Sequence, residues 1–242
     1  MGIKLENVSY IYEVGTAMQT AALEDVSLEI PENQFIGLIG HTGSGKSTLV
    51  QLLNGLLKPT EGRVLYNGKN IHEQDYDKRA LRAEVGLVFQ YPEHQLFEAD
   101  VLSDVMFGPR NLGLDEAACK KSAVEALTSV GIGEEYFKTS PFDLSGGQKR
   151  RVAIAGVLAM HPKILILDEP TKGIDVGTKA EIYQNICNLA KDGLCVVLIS
   201  SELPEVINIA DTIYAIHNGH ITGKINREDA TEENVLTMAM LD

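Results

Sequence analysis

The sequence predicts an α/β fold whose central sheet is mostly parallel. Residues 35–39 and 164–167 are apolar throughout, as expected for strands that are buried on both faces. A glycine-rich stretch at residues 40–47 separates the first of these runs from a segment with helical spacing. Strand-like and helix-like segments continue to alternate along the chain, and this alternation is typical of a parallel sheet covered by helices.

The individual elements follow from hydrophobic periodicity. Strands are predicted at residues 3–12, 21–30, 35–39, 62–66, 85–89, 164–167, 195–199, 212–217 and 220–225. Helical spacing covers residues 49–57, 100–131 (with breaks near Gly108-Pro109 and Gly113) and 177–191, and a short helix is expected after Asn226. We expect one domain over residues 1–242. Residues 1–90 and 160–225 form its core with an antiparallel β part, residues 91–159 a helical part, and residues 226–242 a short C-terminal segment.

Composition excludes several classes of protein. The 242 residues carry a formal net charge of −13, which disfavours a general nucleic-acid binder because such proteins need a basic face. No apolar stretch approaches the roughly 18–20 residues that span a bilayer. The 3 cysteines show no metal-binding spacing, and reduced thiols are the simpler interpretation.

The stretch from Gly40 to Ser47 fits the pattern G-x-x-x-x-G-K-[ST]. Its glycines allow successive backbone N–H groups to point inward, and the following helix directs its positive end at the same place. We expect Lys46 to reach the β- and γ-phosphates of a nucleotide and Ser47 to bind Mg²⁺. The predicted nucleotide-binding residues of this loop are Gly40, His41, Thr42, Gly43, Ser44, Gly45, Lys46, Ser47 and Thr48.

Two carboxylates follow the apolar run at residues 164–167. Strand ends of this kind lie at the edge where α/β sheets bind ligands. Asp168 is expected to hold Mg²⁺, and Glu169 is expected to polarise the water that attacks the γ-phosphate.

The segment Leu144-Ser145-Gly146-Gly147-Gln148 precedes this acidic strand. Together with the glycine-rich loop it resembles the signature of the ATP-binding cassette (ABC) ATPases, over essentially the whole chain. The resemblance implies a P-loop NTPase fold with a parallel core sheet, an antiparallel β subdomain and a helical subdomain. It also implies that Ser145, Gly147 and Gln148 contact ATP bound by a partner subunit.

Further residues resemble functional positions of the same family. Gln90 resembles the glutamine that ligates Mg²⁺ and reports the nucleotide state to a membrane partner. Tyr12 resembles the aromatic residue that stacks on adenine, with Tyr10 as the competing candidate. Asp175 resembles the aspartate that couples the two sites of a dimer. For Lys149, Arg150 and Arg151 we expect a solvated helix face.

The family branch differs along the chain. The first two thirds resemble the ATPases of energy-coupling factor (ECF) and cobalt-type importers, whereas residues from about 171 onward resemble the second cassette of ribose-type sugar importers. A natural recombinant, an engineered chimera and a divergent relative are all compatible with this pattern. Ser201 stands where the family places a switch histidine, and serine cannot carry its positive charge.

We therefore expect an ATP-binding and ATP-hydrolysing subunit of an ECF-type importer for a vitamin or metal ion, with ATP and Mg²⁺ as cofactors. The expected partners are a second ABC ATPase, identical or different, a transmembrane coupling subunit and a substrate-capture subunit, with no nucleic acid. The expected location is peripheral, on the cytoplasmic face of the cell membrane. The alternatives are a catalytically impaired partner in an asymmetric pair, a sugar importer ATPase and, last, a soluble ABC ATPase of DNA repair or translation. For docking, acidic partners of a coupling helix are expected at Glu93, Glu98, Asp100 and Asp104.

Overall fold

The computed structural model describes residues 2–240, which divide into two compact units. Unit 1 contains the residues up to Arg82 and those from Cys195 onward, and unit 2 is Ala83–Leu194. The strands are β1 (Gly2–Tyr12), β2 (Thr20–Pro31), β3 (Phe35–Ile39), β4 (Glu61–Tyr66), β5 (Lys69–Asn70), β6 (Val85–Val88), β7 (Ile164–Asp168), β8 (Cys195–Ser200), β9 (Thr212–His217) and β10 (His220–Asn226). The α-helices are α1 (Lys46–Leu53), α2 (Lys78–Glu84), α3 (Val101–Leu112), α4 (Glu116–Ser129), α5 (Gly146–Leu158), α6 (Val176–Lys191), α7 (Leu203–Ile207) and α8 (Glu232–Met240).

Unit 1 contains an antiparallel sheet and a mixed sheet. The antiparallel sheet has the strand order β2-β1-β4-β5. In the mixed sheet, β3 runs parallel to both β8 and β9, while β10 pairs antiparallel with β9. Every residue of β3 and of β8 is buried, which matches the apolar sequence of β3 and of β8 up to Ile199.

Unit 2 combines the parallel strands β6 and β7 with a group of helices. Helices α3, α4 and α5 pack against one another, and α5 also contacts β6. The helix α6 follows β7 after a turn at residues 169–175. Both strands are fully buried. The polar residues that follow them are therefore attached to the end of a rigid, apolar element.

The predicted fold class is confirmed, since parallel strands in a mixed sheet accompany a separate antiparallel sheet. One local prediction was wrong, because α3 continues through Gly108-Pro109 and ends only at Gly113. A proline in a helix removes one backbone hydrogen bond. Here Val105, Met106 and Pro109 lie on the buried side of α3, and their packing outweighs that loss. Within the described residues, no helix is both long and apolar enough to cross a membrane.

Candidate nucleotide site

The loop between β3 and α1 has the backbone of an anion-binding cradle. Gly45 precedes α1 with a φ of 103°, which is a left-handed conformation that favours glycine. A β-carbon at Gly45 would also meet the carbonyl oxygen of Ala22. Gly45 gives the helix no side-chain cap, and a helix N-terminus of this kind favours an anion. We call residues 40–48 the phosphate cradle.

Two side chains complete the phosphate cradle. Lys46 is only 6% exposed, and its Nζ donates hydrogen bonds to the carbonyl oxygens of Gly40 (2.6 Å) and His41 (2.8 Å). The hydroxyl of Ser44 is fully buried and makes no hydrogen bond to any residue in the described part of the chain. A buried hydroxyl without a partner is costly, so its presence in this loop fits a site that receives an external polar group such as a phosphate.

Aromatic side chains lie beside the cradle. The hydroxyl groups of Tyr12 and Thr48 are 3.1 Å apart, and the rings of Tyr10 and Tyr12 meet edge to face at 4.8 Å. Tyr12 is the more open of the two rings, with 39% of the residue exposed. On another side, the ring of His41 meets that of His217 at 4.8 Å. The structure thus places Tyr12 beside Thr48 of the cradle.

Ser201 lies in unit 1, directly after β8, and is exposed. The preceding residue braces this turn, because the Ser200 hydroxyl donates to Glu205 (2.7 Å) and accepts from the Glu202 amide (2.9 Å). Helix α7 starts two residues after Ser201. The backbone at this position is therefore built into an ordered strand-to-helix turn.

The predicted acidic pair lies in unit 2, at the end of β7. Asp168 is 4% exposed and Glu169 is 7% exposed. Glu169 adopts a φ of 49°, a left-handed conformation that costs a non-glycine residue roughly 1–3 kcal/mol. Strain of this size persists only where surrounding contacts hold the backbone. Gln90, in the same unit, follows β6 and is half-buried.

The signature segment forms the start of α5. The Ser145 side chain accepts a hydrogen bond from the Gln148 amide (3.3 Å), and the Gln148 side chain accepts one from the Ser145 amide (3.0 Å). This reciprocal pair is a capping box. A β-carbon at Gly147 would overlap with the methyl group of Thr178 on α6, so this glycine allows α5 and α6 to approach closely.

Asp175 caps the start of α6. Its carboxylate accepts a hydrogen bond from the Thr178 amide (3.0 Å), and this bond is the main reason that the pKa of Asp175 lies below its usual value. Thr178 therefore contacts both the cap of α6 and the face of α5 at Gly147. Thr178 thus joins the start of α5 to the start of α6.

Arg150 is the principal residue that sequence reasoning missed. We expected it on a solvated face, but it is only 2% exposed. Its guanidinium bonds to the carbonyl oxygens of Pro170 and Lys172 and to the carboxylate of Glu93. A signal was available: Arg150 precedes the buried Ile154 by four positions and therefore shares its face of α5.

The predicted docking acids are mostly engaged within the chain, which corrects that expectation. Glu93 pairs with Arg150, Asp100 caps α3 through the Ser103 amide, and Asp104 accepts from the amides of Phe97 and Glu98. Aromatic side chains remain open in unit 2 instead, and the exposed ones include Phe89, Tyr91, Phe97, Phe107 and Phe142.

No cluster of three or more His, Cys, Asp or Glu side chains within residues 2–240 is placed to hold a metal ion. The cradle, with its left-handed glycine, buried lysine and buried serine hydroxyl, instead fits a phosphate group. Together with the parallel strands, these features define an α/β nucleotide-binding domain of the P-loop class.

Comparison with known proteins gives the family. The family model described as ABC transporter matches residues 23–172. The energy-coupling factor transporter ATP-binding protein EcfA2 of Caldanaerobacter subterraneus subsp. tengcongensis is 52% identical over 222 residues, covering 91% of this chain and 78% of that protein. The protein of the same name from Streptococcus pneumoniae serotype 2 is 49% identical over 223 residues, covering 91% and 80%. The chain therefore belongs to the ABC transporter family, as its motifs predicted.

Solved structures of ABC transporter proteins also match this chain. The cbiO1 protein from Clostridium perfringens, described as part of the ABC transporter complex cbiONQ, matches with a TM-score of 0.85 and 37% identity, over 97% of this chain and 92% of that one. The ATP-binding cassette MJ0796, described as a dimer in a post-hydrolysis state bound to ADP and Pi, matches with a TM-score of 0.83 and 30% identity, over 93% and 98%.

Proposed function

We propose that the protein is the ATP-binding subunit of an ECF-type importer. In this role it binds and hydrolyses ATP within a dimer and energises uptake of a small solute, such as a vitamin or metal ion, through separate membrane subunits. The observation that carries the proposal is the phosphate cradle, in which the buried side chains of Lys46 and Ser44 fit a bound phosphate. The ECF branch is supported by the 52% identity to an EcfA2 protein over nearly the whole chain.

ATP binding is assigned to the phosphate cradle and its margin. The backbone N–H groups at the start of α1 and the Lys46 ammonium hold the β- and γ-phosphates, while Tyr12 stacks on the adenine. Bound Mg²⁺ would neutralise charge on the phosphate oxygens. The family resemblance implies Ser47, Gln90 and Asp168 as its ligands, and each side chain carries the kind of oxygen donor that this hard cation prefers.

Hydrolysis is assigned to Glu169, which acts as the general base for the attacking water. Its carboxylate follows a buried strand, and its backbone is fixed in a left-handed conformation, so it is positioned before ATP arrives. Ser145 and Gly147 start α5, whose N-terminus would receive the γ-phosphate bound by the partner ATPase. Gln148 contributes through the capping box that fixes this helix start.

The membrane partner is proposed to bind unit 2 through apolar contacts. The open aromatic rings include Phe97 and Phe107, which meet edge to face at 4.8 Å. Exposed aromatic groups of this kind mark protein interfaces more often than isolated charges do. The protein would then lie peripherally on the cytoplasmic face of the membrane. Its dimer partner would be a second copy or a related ATPase.

A second candidate is a nucleotide-binding partner with weak turnover in an asymmetric pair. Ser201 favours it, because a hydroxyl replaces the imidazole that would contact the γ-phosphate. The resemblance of residues from about 171 onward to sugar importer cassettes, through recombination or divergence, supports the same candidate and the sugar importer alternative.

Co-purification from membranes tests the proposal. A tagged chain should retain a transmembrane coupling subunit and a small substrate-capture membrane protein. The double variant F97S/F107S should lose both, whereas the exposed control variant K69A should retain them. Recovery of an extracytoplasmic sugar-binding protein would favour the sugar importer. Absence of any membrane subunit would contradict an importer role.

A further inference from the structure

We propose that Arg150 is a positioning residue that holds the turn at residues 169–172 in the geometry that the general base requires. The same guanidinium ties this turn to the segment after Gln90 through Glu93. The inference rests on the proposed function, because it takes Glu169 as the base for ATP hydrolysis. We call Arg150, Glu93 and the carbonyl groups of Pro170 and Lys172 the Arg150 junction.

One guanidinium reaches three residues, in two other chain segments, in the Arg150 junction. Nη1 donates to the carbonyl oxygens of Pro170 (3.0 Å) and Lys172 (2.9 Å). Nη2 donates to both carboxylate oxygens of Glu93, at 3.2 and 3.0 Å. Only the planar, multiply donating group of arginine can serve these directions at once, since a lysine ammonium is a single point.

The Arg150 side chain is buried, so the loss of its hydrogen bonds would be costly. Arg150 is 2% exposed, and Glu93, with 26% of its side chain exposed, is its ion-pair partner. A buried ion pair is weak evidence of net stabilisation, because desolvation offsets the attraction between the charges. Loss of one partner is nevertheless unfavourable, since it leaves the other charge buried. The Arg150 junction is therefore better explained by what it positions than by the stability it adds.

What Arg150 positions is the backbone that follows the base. Glu169 is held at a φ of 49°, and the two carbonyl groups bound by Arg150 belong to the first and third residues after it. The Lys172 amide donates to the Glu169 carbonyl (3.2 Å) and closes the turn. Without Arg150 the carbonyl groups of Pro170 and Lys172 would lose these bonds, and Glu169 could relax toward an ordinary conformation.

Glu93 extends this hold to another functional segment. It lies in the short 3-10 helix Pro92–Gln95, which follows β6 and Gln90. A movement of this segment would be transmitted to the turn through the pair between Glu93 and Arg150. The carboxylate of Glu93, which the sequence predicted as a docking group, is thus engaged within the chain.

Steady-state kinetics on the full chain test the role. R150M is expected to lower kcat about 10- to 100-fold while the Kd for ATP changes less than twofold, because the phosphate cradle is untouched. R150K should recover only part of kcat, since a lysine ammonium cannot bond to Pro170, Lys172 and Glu93 at once. The double variant E93Q/R150M should resemble R150M alone, because both changes break one network. E93Q, the mildest change, serves if R150M does not fold.

R151M is the matched control. The neighbouring Arg151 instead donates to the carbonyl groups of Val130 and Gly131 and pairs with Glu181. The R151M variant should have a lower melting temperature without a selective loss of kcat. Equal kcat in folded R150M and wild type, a parallel loss of kcat and ATP affinity, or full rescue by R150K would overturn the role of Arg150.

Hydrogen exchange separates this inference from the proposed function. The amides of Lys172 and Ile174, which bond to the carbonyl groups of Glu169 and Thr171, should exchange faster in R150M and E93Q than in R151M. Unchanged exchange would overturn the hold of Arg150 on the turn, whatever the activity. Wild-type protein without hydrolysis, or E169Q with wild-type turnover, would instead contradict the assignment of Glu169 while the exchange result still decides on Arg150.

Discussion

The phosphate cradle in unit 1 and the Arg150 junction in unit 2 solve different structural problems. The cradle is made mainly of backbone, and its side chains come from one continuous stretch of nine residues, 40–48. The Arg150 junction is made by one side chain that joins segments 57 and 20 residues away in sequence. The first region provides a preformed surface for phosphate, while the second fixes the backbone beside a carboxylate. We infer that affinity for ATP and turnover of ATP depend on separately built parts of the molecule.

The largest expected effect breaks the cradle. K46A should weaken ATP binding by about 10²-fold or more, because it removes the ammonium group that the cradle directs at the phosphates. Titration with ATP measures the affinity, and circular dichroism checks that the variant is folded. The exposed control K69A should bind like wild type. An unchanged Kd in folded K46A would show that the nucleotide binds elsewhere.

A gain of turnover tests whether the position after β8 can support the base. S201H should raise steady-state hydrolysis about 10-fold, because an imidazole adds a transition-state donor that the serine hydroxyl replaces poorly. The Kd for ATP should stay the same. The gain should vanish in S201H/E169Q, since the histidine orients water but does not replace the base. No gain at unchanged affinity would indicate that the turn braced by Ser200 keeps position 201 away from the phosphate.

Two adjacent glycines sharpen the comparison within unit 2. G147A should destabilise the protein by about 1–3 kcal/mol, because the new methyl group overlaps with Thr178 on α6. For a chain of this size that corresponds to a fall in Tm of roughly 2–10 °C. G146A is the matched control, since a β-carbon there meets nothing within 4 Å. Equal shifts in Tm for the two variants would argue against close packing of α5 on α6.

The smallest expected effect is a pH dependence in unit 1. Burial, together with Lys78 and Lys58, lowers the pKa of His72 to about 4, and both ring nitrogens lack a hydrogen-bond partner within the described residues. Between pH 4 and about 6.5 the unfolded chain therefore binds more protons at His72 than the folded chain does. The contribution of His72 to the free energy of unfolding is fully present above pH 6.5 and is lost as the pH falls toward 4.

Thermal unfolding at pH 7.5 and pH 5 measures this dependence. The fall in Tm on acidification should be smaller in H72Q than in wild type. The exposed control H220Q should behave like wild type, because 52% of the His220 side chain is accessible to solvent. A fall in H72Q as large as that in wild type would assign the pH dependence to other groups.

The phosphate cradle and the Arg150 junction also differ in how far the sequence alone predicts them. The loop that forms the phosphate cradle could be located from the sequence, because a glycine-rich turn between a strand and a helix is a local feature. The positions of the strands along the chain followed from periodicity, and the acidic pair could be read directly after the apolar run of β7. The Arg150 junction was not predicted, since Glu93, Arg150 and Pro170 meet only through tertiary packing. The internal contacts of the predicted docking acids were not predicted for the same reason, since Asp104 accepts hydrogen bonds from the amides of Phe97 and Glu98.

The continuation of α3 through Pro109 shows a further limit. Local propensity favours a break at a proline, but burial of the helix face decides the outcome. Helical spacing could have placed Arg150 on the face of Ile154, yet the sequence gives no sign of which carbonyl groups that face meets. Backbone sites made of consecutive residues are therefore the more predictable part of this molecule.

If the cradle supplies affinity for ATP and Glu169 supplies turnover, the variant E169Q should separate the two properties. Single-turnover hydrolysis and ATP titration should be measured on the same preparation of wild type and E169Q. We expect a Kd within about threefold of wild type and a hydrolysis rate lower by roughly 10²–10⁴, because the amide keeps the shape of the side chain but is a poor base. Wild-type turnover in E169Q, or a loss of ATP affinity that parallels the loss of rate, would contradict the account.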